Sequence, residues 1–269
     1  MLIWVIALHC EAKPIIDFYR LKKVPTHQGF DLYQNGPMQC VICGIGKINA
    51  AAATAWIAAL NQDQPSIAWI NLGTAGAAEH AIGEAFWISK ISQPNADRQG
   101  FPVPTFSSGF SASATISLDE PSDSYDSTQL FDMEASAFFA TATRFSSAEL
   151  VHCLKIVSDN RLYKTGQNKA AISNLISPKI SAINEFAIKL QALNEQVGKL
   201  EVDPEIWHKL LKQAHFSQTQ QARLKPALRF LQASPLDSQQ FANAVSSLSS
   251  SRDILKRLDQ LCIEQSRNL

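Results

Sequence analysis

The stretch Met38-Gln-Cys-Val-Ile-Cys-Gly-Ile-Gly-Lys-Ile-Asn-Ala50, continued by the alanine-rich run to Leu60, decides how this 269-residue chain folds. Met38 to Cys43 is a short apolar run such as a buried strand shows, Gly44-Ile-Gly46 permits a tight turn, and Ile48 to Leu60 consists of strong helix formers. Strands that feed helices through glycine turns build α/β layers. The pattern extends to both sides. Leu2 to Leu8 reads as a branched, apolar first strand, and Glu11 to Leu21 as a helix after it. Ile67 to Leu72 is a third strand, expected to end at Gly73-Thr-Ala-Gly76, and Ala85 to Ile91 is a fourth. Beyond lie a strand at Ala112 to Leu118, a helix from Met133 to Phe145, a strand from Val151 to Val157 and one long helix from Lys169 to Leu193. The fold class expected for residues 1–197 is α/β with a central mixed sheet, its ligand site outside the carboxyl ends of the strands. The intervening region from Ser92 to Ser127 is rich in Pro, Ser, Gly and Asp, which is loop chemistry.

After about Gly198 the strand patterns stop. Asp203-Pro204-Glu205 has the form of an N-cap with proline in the first helical turn, and Ile206, Leu210, Leu211 and Ala214 follow at helical spacing. Further helices are predicted over Thr219 to Leu231 and over Ser238 to Leu261, the latter interrupted at Ser246 to Ser251. Residues 198–269 are thus expected to form a C-terminal helical appendage. From Ile206 to Leu236 there is no acidic residue, while Lys209, Lys212, Arg223, Lys225 and Arg229 are present. A solvated helical face explains such a run, and a nucleic acid or an acidic protein partner is the competing reading.

Overall, 24 Lys and Arg balance 24 Asp and Glu, which argues against a uniformly basic nucleic-acid binder and against an acidic solvating tail. With 46% apolar and 18% charged residues the chain can bury a substantial core. Met1 to Leu8 lacks a basic flank and meets Glu11 soon after, and Ala50 to Leu60 falls far short of the roughly 20 residues that cross a bilayer, so a cytoplasmic protein with no membrane partner is expected. Five scattered cysteines do not suggest a disulfide framework. Cys40 and Cys43 have metal-like spacing, but no second pair follows and they read as core residues. His9, His27, His80, His152, His208 and His215 are dispersed, and neither metal nor cofactor is implied.

Several polar residues stand where strands end. Glu11 is either a helix-capping carboxylate or a base at the sheet edge. Gly44-Ile-Gly46 can aim backbone N–H groups at an anion or a sugar oxygen, though it has neither the dinucleotide nor the Walker pattern, and Lys47 reads as solvated. Gly73 and Thr74 form a second such turn. Asp132 and Glu134 can stabilise a helix N-terminus, and Glu134 can equally accept hydrogen bonds from a vicinal diol. Ser158 and Asp159 close an apolar strand, where a carboxyl group can serve as a turn cap or a general acid.

Taken together, Ala7-Leu-His-Cys-Glu-Ala12, Cys43-Gly-Ile-Gly-Lys-Ile-Asn-Ala50, Ile70-Asn-Leu-Gly-Thr-Ala-Gly-Ala77, Phe131-Asp-Met-Glu-Ala-Ser136 and Ile156-Val-Ser-Asp-Asn160 resemble the nucleoside phosphorylase and nucleosidase superfamily. The resemblance is closest to the 5′-methylthioadenosine/S-adenosylhomocysteine nucleosidases, and it covers roughly Met1 to Leu193. It implies a three-layer phosphorylase/hydrolase-like domain that acts on a small-molecule purine nucleoside, without a cofactor, as a homodimer. By the same resemblance Glu11 orients and deprotonates the attacking water, and Thr74 with Gly73 lies beside the ribose. Glu134 holds the ribose 2′- and 3′-hydroxyls, Met133 packs on the sugar, Asp159 protonates the purine beside Ser158, and Ile116 stands on the base-facing strand with Thr115 and Leu118. The segment between the fourth strand and Phe131 is shorter than in typical nucleosidases.

Phosphorylases of this superfamily place arginines on the phosphate, one of them just before the Gly-Ser turn. Ile70-Asn-Leu-Gly73 has none there, and three carboxylates around one site would repel phosphate. Hydrolysis of the N-glycosidic bond is therefore the expected reaction. The alternatives are a purine nucleoside phosphorylase and a non-catalytic nucleoside-sensing protein whose basic helices bind a partner.

Overall fold

The computed structural model describes residues 1–25, 29–94, 96, 99–121, 127–163, 168–199, 204–234 and 238–266. They form two compact units, Met1–Glu195 and Gln196–Leu269. In the first, the order is β1 (Leu2–Ile6), α1 (His9–Tyr19), β2 (Lys22–Val24), β3 (Asp31–Asn35), β4 (Met38–Ile42), α2 (Lys47–Leu60) and β5 (Ala68–Ala77). Then come β6 (Ala85–Ser92), β7 (Ser111–Ser117), β8 (Leu130–Asp132), α3 (Ala135–Ala142), β9 (Val151–Asn160), α4 (Lys169–Ile176) and α5 (Ile180–Gly198). The sheet runs β2-β3-β4-β1-β5-β8-β7-β6-β9, and β9 also pairs with β5, so its second half closes on itself.

The sheet is mixed, as expected. Strand β1 is parallel to β4 and β5, and β5 is parallel to β9, whereas β6 meets β9 antiparallel. The four parallel strands β4, β1, β5 and β9 therefore bring their carboxyl ends to one edge, the usual place for a ligand in such sheets. Alternation along β1 sends Ile3 and Val5 into a core with Ala50, Ala53 and Ile57 of α2 and Phe138 and Ala142 of α3. Trp4 faces the other way, its ring 6.0 Å from that of Tyr19 in α1, and Phe186 of α5 meets His152 of β9 edge-on at 5.3 Å. Helices thus cover both faces, giving three layers.

Some boundaries differ from expectation. Strand β5 does not end at the Gly73-Thr-Ala-Gly76 turn. It continues to Ala77, because β9 pairs with it over that whole length. The helix expected from Met133 starts at Ala135 and ends at Ala142, and the long helix expected over Lys169 to Leu193 breaks at a 3-10 turn, Ser177–Lys179. Pro178 supplies no backbone N–H to the preceding turn, which accounts for that break. Strands β2, β3 and β8 were not anticipated. The first two are short and partly exposed at the sheet edge, and β8 has only three residues.

His152 illustrates how the core handles a titratable group. It is 1% exposed, its Nδ1 accepts from Trp87 Nε1–H at 3.1 Å, and Nε2 is thereby left to donate to Glu149 O at 3.0 Å. Both contacts suit the neutral ring, and burial pushes its pKa down to about 4. The unfolded chain binds a proton near pH 6.5 that the folded chain refuses, so stability falls as pH drops from the unfolded value toward the folded one. The expected loss is about 3 kcal/mol over that window. Urea denaturation at about pH 7 and about pH 4.5 should show the decline in the wild type and little of it in His152→Gln, whose amide oxygen can still accept from Trp87.

The second unit contains α6 (Pro204–Gln213), α7 (Gln218–Ala233), α8 (Ser238–Val245) and α9 (Ser251–Ser266) around Leu210, Leu224, Leu228, Ile254, Leu258 and Leu261. The serine-rich interruption divides the helix expected over Ser238 to Leu261 into α8 and α9. The N-cap expected at Asp203 and the residue His27 lie outside the described residues. Arg223 of α7 pairs with Asp259 of α9 at 3.0 Å, so part of the basic run is answered within the unit. Among the described residues no helix is long and apolar enough to cross a membrane.

Candidate active site

Three turns at the carboxyl edge of the sheet shape a cleft. After β4 the chain passes Gly44 and Gly46 with φ of 83° and 102°, a region glycine adopts without strain, and enters α2. After β1 it enters α1, whose third residue is Glu11. On β9 the pairing with β5 skips Ser158, matching Ala75 with Val157 and Gly76 with Asp159. This β-bulge interrupts the alternation and re-aims the end of the strand, so that Ser158 and Asp159 both reach the cleft.

Glu11, Thr74, Met133, Glu134, Ser158 and Asp159 line one cleft of about 180 Å³, together with Leu8, Ile45, Leu118, Glu120, Pro121, Phe131 and Asp132. That size suits a compact ligand rather than a polymer. Gly73 lies beneath it. A Cβ there would stand 3.4 Å from Glu11 Oε1 and 3.5 Å from Lys155 Nζ, in ordinary van der Waals contact, which places Gly73 beside both groups. Ile116 is not among the lining residues. It sits one pleat before the end of β7, and Leu118, on the same face two residues later, reaches the cleft instead.

The carboxylates are held by specific donors. Thr74 N–H and Thr74 Oγ1 both donate to Glu11 Oε1 at 2.7 Å, and Leu8 N–H donates to Glu11 Oε2 at 3.1 Å. Glu11 therefore caps its own helix and also faces the cleft. A carboxylate has about four acceptor positions, two per oxygen, so Oε2 retains one for a water. Glu134 Oε1 accepts from Gly46 N–H at 2.8 Å, placing the carboxylate at the N-terminus of α2. Ser158 Oγ donates to Asp159 Oδ1 at 2.6 Å.

One important residue escaped the sequence reading. Lys155, in the middle of β9, is fully buried with Nζ 2.8 Å from Asp132 Oδ2 and 4.0 Å from Glu134 Oε2. The first is an ion-pair distance, although the approach is not that of a straight hydrogen bond. Asp132 also accepts from Ser117 Oγ at 2.6 Å and from the N–H groups of Glu134 and Ala135 at 3.2 and 2.7 Å, which makes it the cap of α3 as well as the counterion of Lys155. Burial alone would raise the Asp132 pKa, but the Lys155 charge with the Ser117 and Ala135 hydrogen bonds outweighs it and holds the carboxyl below its ordinary value. Burial, assisted by the neighbouring Asp132 charge, lifts Glu134 above the usual carboxylate range, and Lys155 and Gly46 N–H only partly oppose it. Lys155 itself is raised, since two carboxylates overcome the burial penalty on its ammonium. A lysine within the buried run of β9 is a sign of this network in the sequence.

Cys40 and Cys43 are buried, and burial pushes the Cys43 thiol up to about 12, so they behave as core residues rather than as a metal or redox pair. Lys47, read as solvated, instead pairs with Asp119 at 2.8 Å.

No protein-family model and no curated protein matches the chain. Solved structures do. The fold is similar to that of 5′-methylthioadenosine/S-adenosylhomocysteine nucleosidase from Helicobacter pylori with butyl-thio-DADMe-Immucillin-A, at a TM-score of 0.58 and 11% identity over 70% of this chain and 97% of that one. The corresponding enzyme from Neisseria meningitidis, in complex with methylthio-immucillin-A, gives 0.54 and 17% over 68% and 98%. A futalosine hydrolase mutant of Helicobacter pylori gives 0.54 and 12% over 70% and 98%. Identities this low speak for the fold alone, and that fold is the three-layer α/β architecture expected from the motifs.

Proposed function

We propose that this chain hydrolyses the N-glycosidic bond of a purine nucleoside, with 5′-methylthioadenosine, S-adenosylhomocysteine or a 5′-deoxyadenosine-like compound as substrate. One observation carries the choice of water over phosphate. Two N–H groups that could meet a phosphate, that of Gly46 at the turn before α2 and that of Thr74 on β5, are already engaged by the protein's own carboxylates, Glu134 and Glu11. A phosphate entering there would meet negative charge where it needs donors.

The proposed steps follow from the groups that face the cleft. A water held on the remaining acceptor position of Glu11 Oε2 gives its proton to that carboxylate as its oxygen bonds to the anomeric carbon. Glu134 accepts from the ribose hydroxyls, and its charge favours the cationic sugar of the transition state. The bond from the anomeric carbon to the base nitrogen breaks, and Asp159 supplies the proton with which the purine leaves as a neutral base. Met133 and Thr74 border the sugar, and Ser158 orients Asp159. The proposal includes a cytoplasmic homodimer.

Incubation of a nucleoside panel with and without phosphate, with chromatography of base and sugar, tests this reading. Free base and a sugar with a free anomeric hydroxyl are expected in phosphate-free buffer. Release that requires phosphate would make the chain a phosphorylase, and no release from any purine nucleoside would favour the nucleoside-sensing alternative.

A further inference from the structure

We propose that Lys47 and Asp119 form a clasp across the mouth of the cleft, which positions residues 118–121 against the bound nucleoside. This rests on the nucleoside reading above, and it makes Lys47 a positioning residue rather than a catalytic one.

Lys47 is the first residue of α2, where a cation faces the positive end of the helix dipole and loses stability. A residue that breaks a local rule needs a compensating partner or a function. Here the side chain is only 18% exposed, and it reaches Asp119 Oδ1 at 2.8 Å across 72 positions of sequence. Lysine commonly extends its charge into solvent, so this side chain is held down by its partner.

Each partner adjoins residues that line the cleft. On the Lys47 side, Ile45 lines it, and the N–H of the adjacent Gly46 holds Glu134 Oε1. On the Asp119 side, Leu118, Glu120 and Pro121 line it. Leu118 N–H donates to Asp132 O at 2.7 Å, which anchors the root of this segment to β8. Asp119 is the next residue, and its ion pair ties the segment to the α2 turn. Glu134, the group that accepts the ribose hydroxyls, is thus joined through Gly46 and Lys47 to the wall formed by Leu118, Glu120 and Pro121. Breaking the pair frees that wall without touching Glu11, Glu134 or Asp159, so the cost falls on substrate capture more than on the chemical step.

The test compares wild type, Lys47→Met, Asp119→Asn and the exchanged pair Lys47→Asp/Asp119→Lys. Each single variant should raise KM by about 2- to 5-fold with kcat within about twofold, and the exchanged pair should recover most of the loss. Asp119 is largely exposed, so added salt should raise the wild-type KM and leave the single variants nearly flat. Unchanged KM in both single variants, beside a wild type that hydrolyses its nucleoside, would overturn the clasp and leave the hydrolase reading standing. If the wild type hydrolyses nothing, the hydrolase reading falls, and a C-nucleoside analogue of adenosine titrated into the same four proteins decides the clasp. Weaker binding in the single variants, recovered on exchange, supports it, and equal or absent binding overturns it.

Discussion

Asp159→Asn should lower the rate of base release by about 10²- to 10⁴-fold, the range that a positioned general acid contributes, while leaving the protein folded. The variant keeps the size of the side chain and still accepts from Ser158 Oγ through its amide oxygen, so the bulge that presents residue 159 is not disturbed. What it loses is a proton to give. A purine leaves poorly as an anion, whereas a leaving group that is stable as an anion needs no acid. The decisive comparison therefore uses two substrates: a purine nucleoside and p-nitrophenyl β-ribofuranoside. The variant should fail on the first and retain most of its activity on the second. Equal loss on both would indicate that Asp159 positions the sugar, and undiminished release of purine would remove it from the mechanism.

How much of this was legible in the chain depends on where each residue sits. The strands β1, β4, β5 and β9 read clearly because parallel strands covered on both faces are continuous apolar runs. Strands β2 and β3 lack that signal, since Lys22, Lys23, Asp31 and Asn35 face solvent at a sheet edge. Glu11, Thr74, Glu134 and Asp159 stand out as polar residues at or just beyond the ends of apolar runs in the sequence. Lys155 does not, because a lysine within a buried strand is rare and its reason lies in Asp132, more than twenty positions earlier, whose own reading as a helix-capping acid was also correct. Ile116 against Leu118 is a question of where a strand ends, which pattern reading settles only within a pleat or so. Lys47 looks like any surface lysine until the loop carrying Asp119 is seen beside it.

Lys155→Met should be the most damaging of the substitutions in stability as well as activity. The lysine is fully buried between Asp132 and Glu134, and Asp132 has no exposed side-chain surface with which to recover water. Removing one partner of a buried pair leaves an uncompensated charge and costs about 3–5 kcal/mol. Ser117 Oγ and the N–H groups of Glu134 and Ala135 still reach Asp132, which places the loss toward the lower end of that range. The pH dependence should change as well. In the wild type the Asp132 pKa is lowered, so its contribution is present above the unfolded carboxylate value and is lost as pH falls below it. Without Lys155, the charge that opposes burial at Asp132 and Glu134 is gone and only hydrogen bonds oppose it, so both carboxyls move up from their wild-type values. The folded variant then binds protons at higher pH than the folded wild type does, so its carboxylates offset more of the loss as pH falls from neutral. Urea titrations at several pH values, followed by far-UV circular dichroism, should show a shallower decline in Lys155→Met than in the wild type between about pH 7 and about pH 5, since His152 contributes equally to both. A second substitution, Asp132→Asn, should recover part of the stability lost in Lys155→Met, because a neutral pair leaves no buried charge unanswered. It should not recover activity, since Glu134, its pKa still raised by burial, would be protonated over a wider pH range and could no longer meet the ribose hydroxyls as an anion. A single variant as stable as the wild type, with the same pH slope, would mean that Lys155 is not the counterion on which this carboxylate-lined site depends.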